Sequence, residues 1–521
     1  MTTPSFFAQS LFTTLSRPRA ARPALRRCAA ALALLWLAGC AVGPDYHKPT
    51  TEIPATFKEG VDWQRADANP QGSLSSSWWT VYDDPKLTQL VEQSLKANQS
   101  IVAAEAAYRL AQATVDASVA SLFPVVTAGL SATRSGTGPG AATGGVSPTT
   151  GSTIVGVHNA VSANVAASWE PDLWGQIRRE IESSKASAQA SDAQLAGERL
   201  SIAASVVDDY FALRQADIDI ASLKTQRDIE ARLLDITRSA YSQGTASNDD
   251  VLAAQDALEL VLAELQTTET SREQDEHAIA MLVGVPPASF TLAPQQDYAF
   301  GTPAVPLSLP SQLLERRPDV VSAERSAEAA NAKIGVAEAA FFPALDLSAQ
   351  GGFEHNTFAH LFSLPSRVWT LGPDLAATIF DGGARTAAVH EAQASYDEAV
   401  ANYRQAVLGA FQNVEDSLSS WNHLAQQETA YANIYQRNQA LFASVEAQMS
   451  AGTASEAGLL TQQLTLLQAE QNVKDTQAQL VQSSVALIRN LGGGWQWDER
   501  RGAAVAADGP GSAGHEAQQV Q

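Results

Sequence analysis

Residues 242–247 read SQGTAS and residues 450–455 read SAGTAS, the same turn 208 positions later. That return raises the question of whether the whole chain is written twice. Upstream, LWGQIRR from Leu173 pairs loosely with FDGGART from Phe380 at a shift of 207, and Phe123-Pro124 pairs with Phe342-Pro343 at a shift of 219. The change in shift falls in one segment. There the first copy carries SGTGPGAATGGVSPTTGST, residues 135–153, and the second carries only a shorter loop, Glu354 to Arg367. Landmarks in the same order, with insertions confined to loops, are what an internal duplication leaves behind.

The prolines show how long the elements between these landmarks run. There is none between Pro171 and Pro286, and none between Pro373 and Pro510. From Gln176 to Gln243, Ile202, Val206, Tyr210, Leu213 and Ile220 recur at helical spacing. The turn Gly244-Thr245-Ala246-Ser247 ends this helix, and Asn248 or Asp249 is expected to cap the next, which runs to about Val283. At 1.5 Å per residue the two helices measure about 100 Å and about 54 Å. A further helix is predicted over Lys86–Leu122. The two shorter helices sum to about 110 Å, so stacked end to end they match the long one. The expected form is a tall helical wall.

Two alternating hairpins interrupt the helices. Val126, Ala128, Leu130 and Ala132 alternate with Thr127, Gly129, Ser131 and Thr133; Val161 to Trp169 alternate likewise. In the second copy Leu345, Leu347 and Ala349 alternate with Asp346, Ser348 and Gln350, and Trp369 to Ile379 continue the pattern. Taken alone this pattern favours a soluble sheet with one buried face; it also suits an outer-membrane barrel with a wet lumen. Four strands cannot close a barrel, since about eight is the usual minimum, and open edges are forbidden in lipid. A trimer would supply twelve.

The N-terminus decides for the membrane. Arg17, Arg19, Arg22, Arg26 and Arg27 precede the short apolar run Ala29–Leu37, a secretory signal pattern. Leu37-Ala38-Gly39-Cys40 resembles the bacterial lipobox, whose Cys is acylated and becomes the new N-terminus. Cys28 lies within the signal, so Cys40 alone remains and no disulfide or cysteine metal site is possible. Two or three acyl chains, at about 0.8 kcal/mol per buried CH₂, anchor such a chain firmly. The mature chain carries 29 basic and 56 acidic residues, because the five arginines leave with the signal, for a net charge of −27. That balance repels phosphate backbones and excludes nucleic acid as partner. No apolar run of about 18 residues follows Leu37, so no transmembrane helix is expected.

The chain resembles the TolC-like outer-membrane efflux proteins, in their lipidated NodT-type branch. CAVGPDYHKP, WWTVYDDPKLTQLVEQSLKAN, LLERRPDVVSAE with FFPALDL, the paired GTAS turns and LGGGW carry the resemblance, over about Cys40 to Trp497. It implies a mainly α fold with a membrane β-barrel: a homotrimer with a long periplasmic α-helical barrel and four strands per protomer in a twelve-stranded barrel. It also implies the exit duct of a tripartite pump, passively conducting small molecules such as drugs. The implied partners are outer-membrane lipid, a periplasmic adaptor (membrane fusion) protein and an inner-membrane efflux transporter. Ala41, not Asp, follows Cys40, which in the resembled class favours sorting to the outer membrane.

The resulting organisation is a signal peptide over 1–39 and an extended belt segment over 40–85. A first repeat over 86–285 has its hairpin at 124–170, and a linker at the belt spans 286–310. The second repeat covers 311–494 with its hairpin at 343–380, and a largely disordered tail covers 495–521. By the same resemblance Gly244, Thr245, Gly452 and Thr453 present the docking tip to the adaptor. Asp249, Asp250, Tyr241 and Met449 then line the periplasmic gate. The second repeat departs from the pattern, with Ala454, Gly458 and Thr461 where some members have Arg, Asp and Asp. Asp249 and Asp250 also suit a plain helix N-terminus.

No enzyme is expected. The eight histidines are scattered without metal-ligand spacing, and the Gly-rich run at 136–151 is not a phosphate loop between strand and helix. No cofactor is expected beyond the covalent lipid on Cys40. The alternative reading, a structural periplasmic coiled-coil lipoprotein, explains the helices and Cys40 but not two alternating hairpins. A lipoprotein hydrolase lacks any catalytic constellation.

Overall fold

A computed structural model describes residues 41–51, 57–58, 77–137, 156–301 and 317–495. Cys40 and the signal segment, the Gly-rich loop over 138–155, residues 302–316 of the linker region and the tail from 496 lie outside the described residues.

Seven α-helices and four strands are described. Helix α1 is Pro85–Ala97, α2 is Gln99–Ala120, α3 is Gln176–Ser242 and α4 is Asn248–Leu282. Helix α5 is Pro318–Ala339, α6 is Ala384–Ser450 and α7 is Glu456–Asn490. The strands are β1 Val125–Thr137, β2 Gly156–Trp169, β3 Ala344–His355 and β4 Arg367–Ala376. Both α3 and α6 have 67 residues, and both α4 and α7 have 35. Every one of these boundaries repeats at a shift of 208, from 176 to 384, 242 to 450, 248 to 456 and 282 to 490. The duplication is therefore structural as well as textual.

Where one helix was expected over Lys86–Leu122 there are two. Asn98 breaks it: its backbone is extended, its Oδ1 accepts from the amides of Ser100 (2.9 Å) and Ile101 (3.3 Å), and its Nδ2 donates to the Leu282 carbonyl (2.9 Å). One side chain caps the second piece and ties it to the end of α4, which offsets the lost helical turn. The cap of α4 also differs from expectation. Ser247, not Asn248 or Asp249, takes that role.

The chain divides into two compact units. One contains Leu122–Arg179 and Gly335–Gly382, with the described end of Met1–Gly43. Its four strands form a single antiparallel sheet in the order β1-β2-β3-β4, so the second strand of one repeat pairs with the first of the other. The other unit holds the remaining helices. Its larger core joins Trp78, Leu87 and Leu90 to Val206, Val207, Tyr210 and Leu213 of α3 and to Val481 and Val485 of α7. A second core sets Tyr403, Val407, Val414 and Leu418 of α6 against Val320 of α5 and Leu487 of α7. Of the positions singled out by periodicity, Val206, Tyr210, Leu213 and Ile220 are buried, and Ile202 is half-buried against the same core. By contrast, no residue of α6 from Ser419 to Ser450 is buried in the single chain. This half lies along α7, through Gln462 to Asn438 and Gln477 to Glu428, yet its side chains are at most half-buried, and a long helix gains most of its stability from packing.

Candidate functional site: two hairpin tips and a two-faced sheet

The two helix reversals share one geometry. At the first, the Gly244 amide donates to the Tyr241 carbonyl (2.9 Å) and the Thr245 amide and hydroxyl both donate to the Ala240 carbonyl (2.9 and 3.0 Å). At the second, Gly452 donates to Met449 (2.9 Å), and the Thr453 amide and hydroxyl donate to Gln448 (2.8 and 3.0 Å). These are Schellman turns, which satisfy the last helical carbonyls and require a left-handed residue just past the helix end. Both glycines have φ of 74°. Thr at the next position adds a hydroxyl to the same carbonyl, which accounts for the repeated Gly-Thr. Tyr241 and Met449 stand at equivalent places, three residues before each glycine, and both are exposed.

The following helices start differently. Ser247 Oγ accepts from the Asp250 amide (3.1 Å), and the Asp250 carboxylate accepts from the Ser247 amide and hydroxyl (both 2.8 Å). This reciprocal cap holds the Asp250 carboxyl below its ordinary range, first through the Ser247 amide and then through its hydroxyl. Asp249 lies beside it in the exposed first turn. In the second repeat Ser455 caps the Gly458 amide (3.1 Å), and Gly458 has no side chain to return the bond. Instead Glu456 accepts from Arg232 of α3, at 2.7 and 3.1 Å. This two-pronged pair ties the first repeat's long helix to the second repeat's hairpin, between residues 224 positions apart. The departures at Ala454, Gly458 and Thr461 thus leave this hairpin with a charged tie from outside its own repeat. The partner of Glu456 carries no local signal.

The register of the sheet sorts its side chains. Ala128 pairs with Val165, Val165 with Gly351, and Gly351 with Trp369. By the two-residue period, Val126, Leu130, Ala163, Trp169, Leu347, Phe353, Leu371 and Leu375 share that face. The opposite face carries Thr127, Ser131, Ser162, Asn164, Ser348, Gln350 and Thr370, with Asp346 directly across from Asp374. The apolar side chains are not covered: Leu371 is 75% exposed, Trp369 74% and Leu130 68%. One end of all four strands is rimmed by Phe123, Trp169, Phe341, Phe342 and Phe380. Among them the Trp169 indole donates to the Leu122 carbonyl (2.9 Å). An uncovered apolar band with an aromatic girdle is the pattern that suits contact with lipid.

Among the described residues there is no group of three metal-ligating side chains, and no helix is long and apolar enough to cross a membrane.

Known proteins agree with this geometry. The family described as outer membrane efflux protein matches residues 90–285 and 309–493. The probable efflux pump outer membrane protein TtgC of Pseudomonas putida is 29% identical over 462 residues, covering 88% of this chain and 93% of its own. The pyoverdine export outer membrane protein OpmQ of Pseudomonas aeruginosa is 32% identical over 429 residues, covering 81% and 88%. Among solved structures, the outer-membrane channel OprN matches with a TM-score of 0.76 at 31% identity, over 88% of this chain and all of its own.

Proposed function

Since the chain belongs to the outer membrane efflux protein family, we propose that three copies close one twelve-stranded barrel and form the exit duct of a tripartite pump. The chain is an outer-membrane efflux channel and not an enzyme. The observation that carries the trimer is the sheet itself: four strands, one apolar uncovered face, one polar face, and outer edges on β1 and β4 that lipid would not tolerate unpaired. The half of α6 without a fully buried side chain supports the same assembly. The chain is then held at the outer membrane by its strands and by lipid on Cys40, with its helices in the periplasm. A periplasmic adaptor meets the tips at Gly244-Thr245 and Gly452-Thr453, and an inner-membrane transporter loads the duct. Small molecules such as drugs are the cargo class, by analogy with the relatives.

In this reading Asp249, Asp250, Tyr241 and Met449 form the gate, and three copies bring six carboxylates toward one axis. At an effective dielectric constant of about 20, like charges about 4 Å apart repel by about 4 kcal/mol, so such a ring holds cations. Conductance of the purified protein in planar bilayers tests both ideas. Divalent-cation block is expected, and Asp249→Asn, which leaves the Ser247–Asp250 cap intact, is expected to relieve it at least severalfold. Protein that forms no channels, or runs as a monomer in mild detergent, would sink the duct; block unchanged in Asp249→Asn would leave those acids as caps alone.

A further inference from the structure

The first described residues, Ala41 to Gly43, are not a loose lead into the fold. The Val42 amide donates to the Trp174 carbonyl (3.0 Å). Arg179, only 5% exposed, donates from Nε to the Val42 carbonyl and from Nη2 to the Gly43 carbonyl, both at 3.1 Å. Three glycines make room. A Cβ on Gly175 would lie 2.7 Å from the Ala41 Cα, and one on Gly335 would lie 2.8 Å from the Val42 oxygen and 2.9 Å from the Arg179 Cγ. A Cβ on Gly43 would lie 2.4 Å from the Gly335 Cα. Most of these contacts are with backbone atoms, which cannot swing aside, so only glycine fits. A buried guanidinium that gives two donors to successive main-chain carbonyls recognises the path of a peptide, whatever its side chains.

We propose that Gly175, Arg179 and Gly335 form a cradle for the chain's own N-terminal peptide. By gripping Ala41–Gly43, the cradle fixes acylated Cys40 at the aromatic-rimmed end of the sheet. Cys40 is bonded to Ala41, so its Cα is about 3.8 Å from that of Ala41. Beside this point Trp174 stacks on Phe342 with ring centroids 4.8 Å apart, and the Trp174 indole donates to the Pro343 carbonyl (2.8 Å). The acyl chains therefore enter the bilayer next to the girdle, where the strands do. The lipid is part of the barrel's seating and not a tether of arbitrary length. This placement rests on the lipid-anchor reading above; the grip on the peptide does not.

Hydrogen exchange followed by mass spectrometry on the full mature protein separates the two. The peptide containing Val42 is expected to be protected. Arg179→Gln and Gly335→Ala should each speed its exchange at least tenfold while strand peptides stay protected. If either host variant fails to fold, Gly43→Ala alters only the guest segment and should do the same. Unchanged exchange in a folded variant overturns the cradle. Cys40→Ser should keep the protection; its loss there would mean that the lipid holds the peptide, and would overturn the cradle equally. Acyl mass on the N-terminal peptide supports the placement of the lipid, and a bare Cys40 overturns that placement while the exchange data still decide the grip.

Discussion

Asp217 holds together three parts of the helical unit with one carboxylate. Its side chain is fully buried and accepts from Arg214 (2.8 Å), Arg272 (2.7 Å) and the Gln295 amide (2.9 Å). The two arginines continue to the carbonyls of Ala293 (3.0 Å) and Leu292 (2.7 Å), which pins the segment after α4 onto α3. Removing the carboxylate strands the buried Arg214 and leaves Arg272 with Glu276 alone, a loss worth about 3–5 kcal/mol. Asp217→Ala should therefore lower the unfolding free energy by about that much, read by denaturant titration of the purified protein; a cost under about 1 kcal/mol would refute the account. Gly244 and Gly452 behave in the opposite way. A Cβ on either meets nothing within 4 Å, so their requirement is a left-handed backbone and not space within the chain. Substitution costs about 1 kcal/mol of local strain and leaves the fold standing. If the tips dock a partner, Gly452→Glu should leave the protein in the outer membrane at normal amounts yet abolish most drug export. Normal resistance in cells carrying that variant would end the docking proposal.

At the scale of elements, α3 and α7 meet across an acidic seam. Burial, then the charge of Asp475, pushes the Asp219 carboxyl up to about 7 against the pull of hydrogen bonds from Gln215 and Gln471; burial pushes Asp475 up to about 6. Gln215 Nε2 bridges the two carboxylates. Asp208, through burial, rises to about 7 on the same helix. The folded state then holds protons that the unfolded chain, titrating near 3.8, has already released. The stability these three groups contribute is full below about pH 4 and is lost progressively as pH rises from there through 6 to 7. Melting temperature should be higher at pH 5 than at pH 8, and Asp219→Asn should reduce that slope by raising the pH 8 value a few degrees; a slope unchanged in the variant would remove Asp219 from the cause. These helices were legible in the sequence because their apolar spacing is local and no proline interrupts it. The break at Asn98 was not, since its partner Leu282 is 184 positions away. The same holds for Arg232 with Glu456 and for Gly43 against Gly335. Periodicity reports which face of an element is apolar, and it is silent on which distant polar group will arrive there.

At the scale of the whole molecule, the reading turns on which side of the sheet meets lipid. Neighbouring residues on β4 decide this with a single-residue step. Leu371 pairs with Ala349 on the apolar face, and Thr370 pairs with Gln350 on the polar one. Both belong to the middle of the same strand, one residue apart, so loop effects nearly cancel between them. In a barrel of three protomers, Leu371→Arg places a cation in hydrocarbon, which costs about 2–4 kcal/mol near the midplane, and three copies suffer it at once. Thr370→Arg points the same charge into water. The expected outcome is that Leu371→Arg sharply reduces heat-resistant trimer in outer-membrane extracts. Thr370→Arg should keep the trimer and shift its single-channel current away from cations, because three positive charges now line the lumen. Equal tolerance of both would mean that Leu371 never faces lipid. The reverse order, with Thr370→Arg disruptive and Leu371→Arg harmless, would turn the sheet inside out, and with it the assignment of Asp346 and Asp374 to the water-filled side.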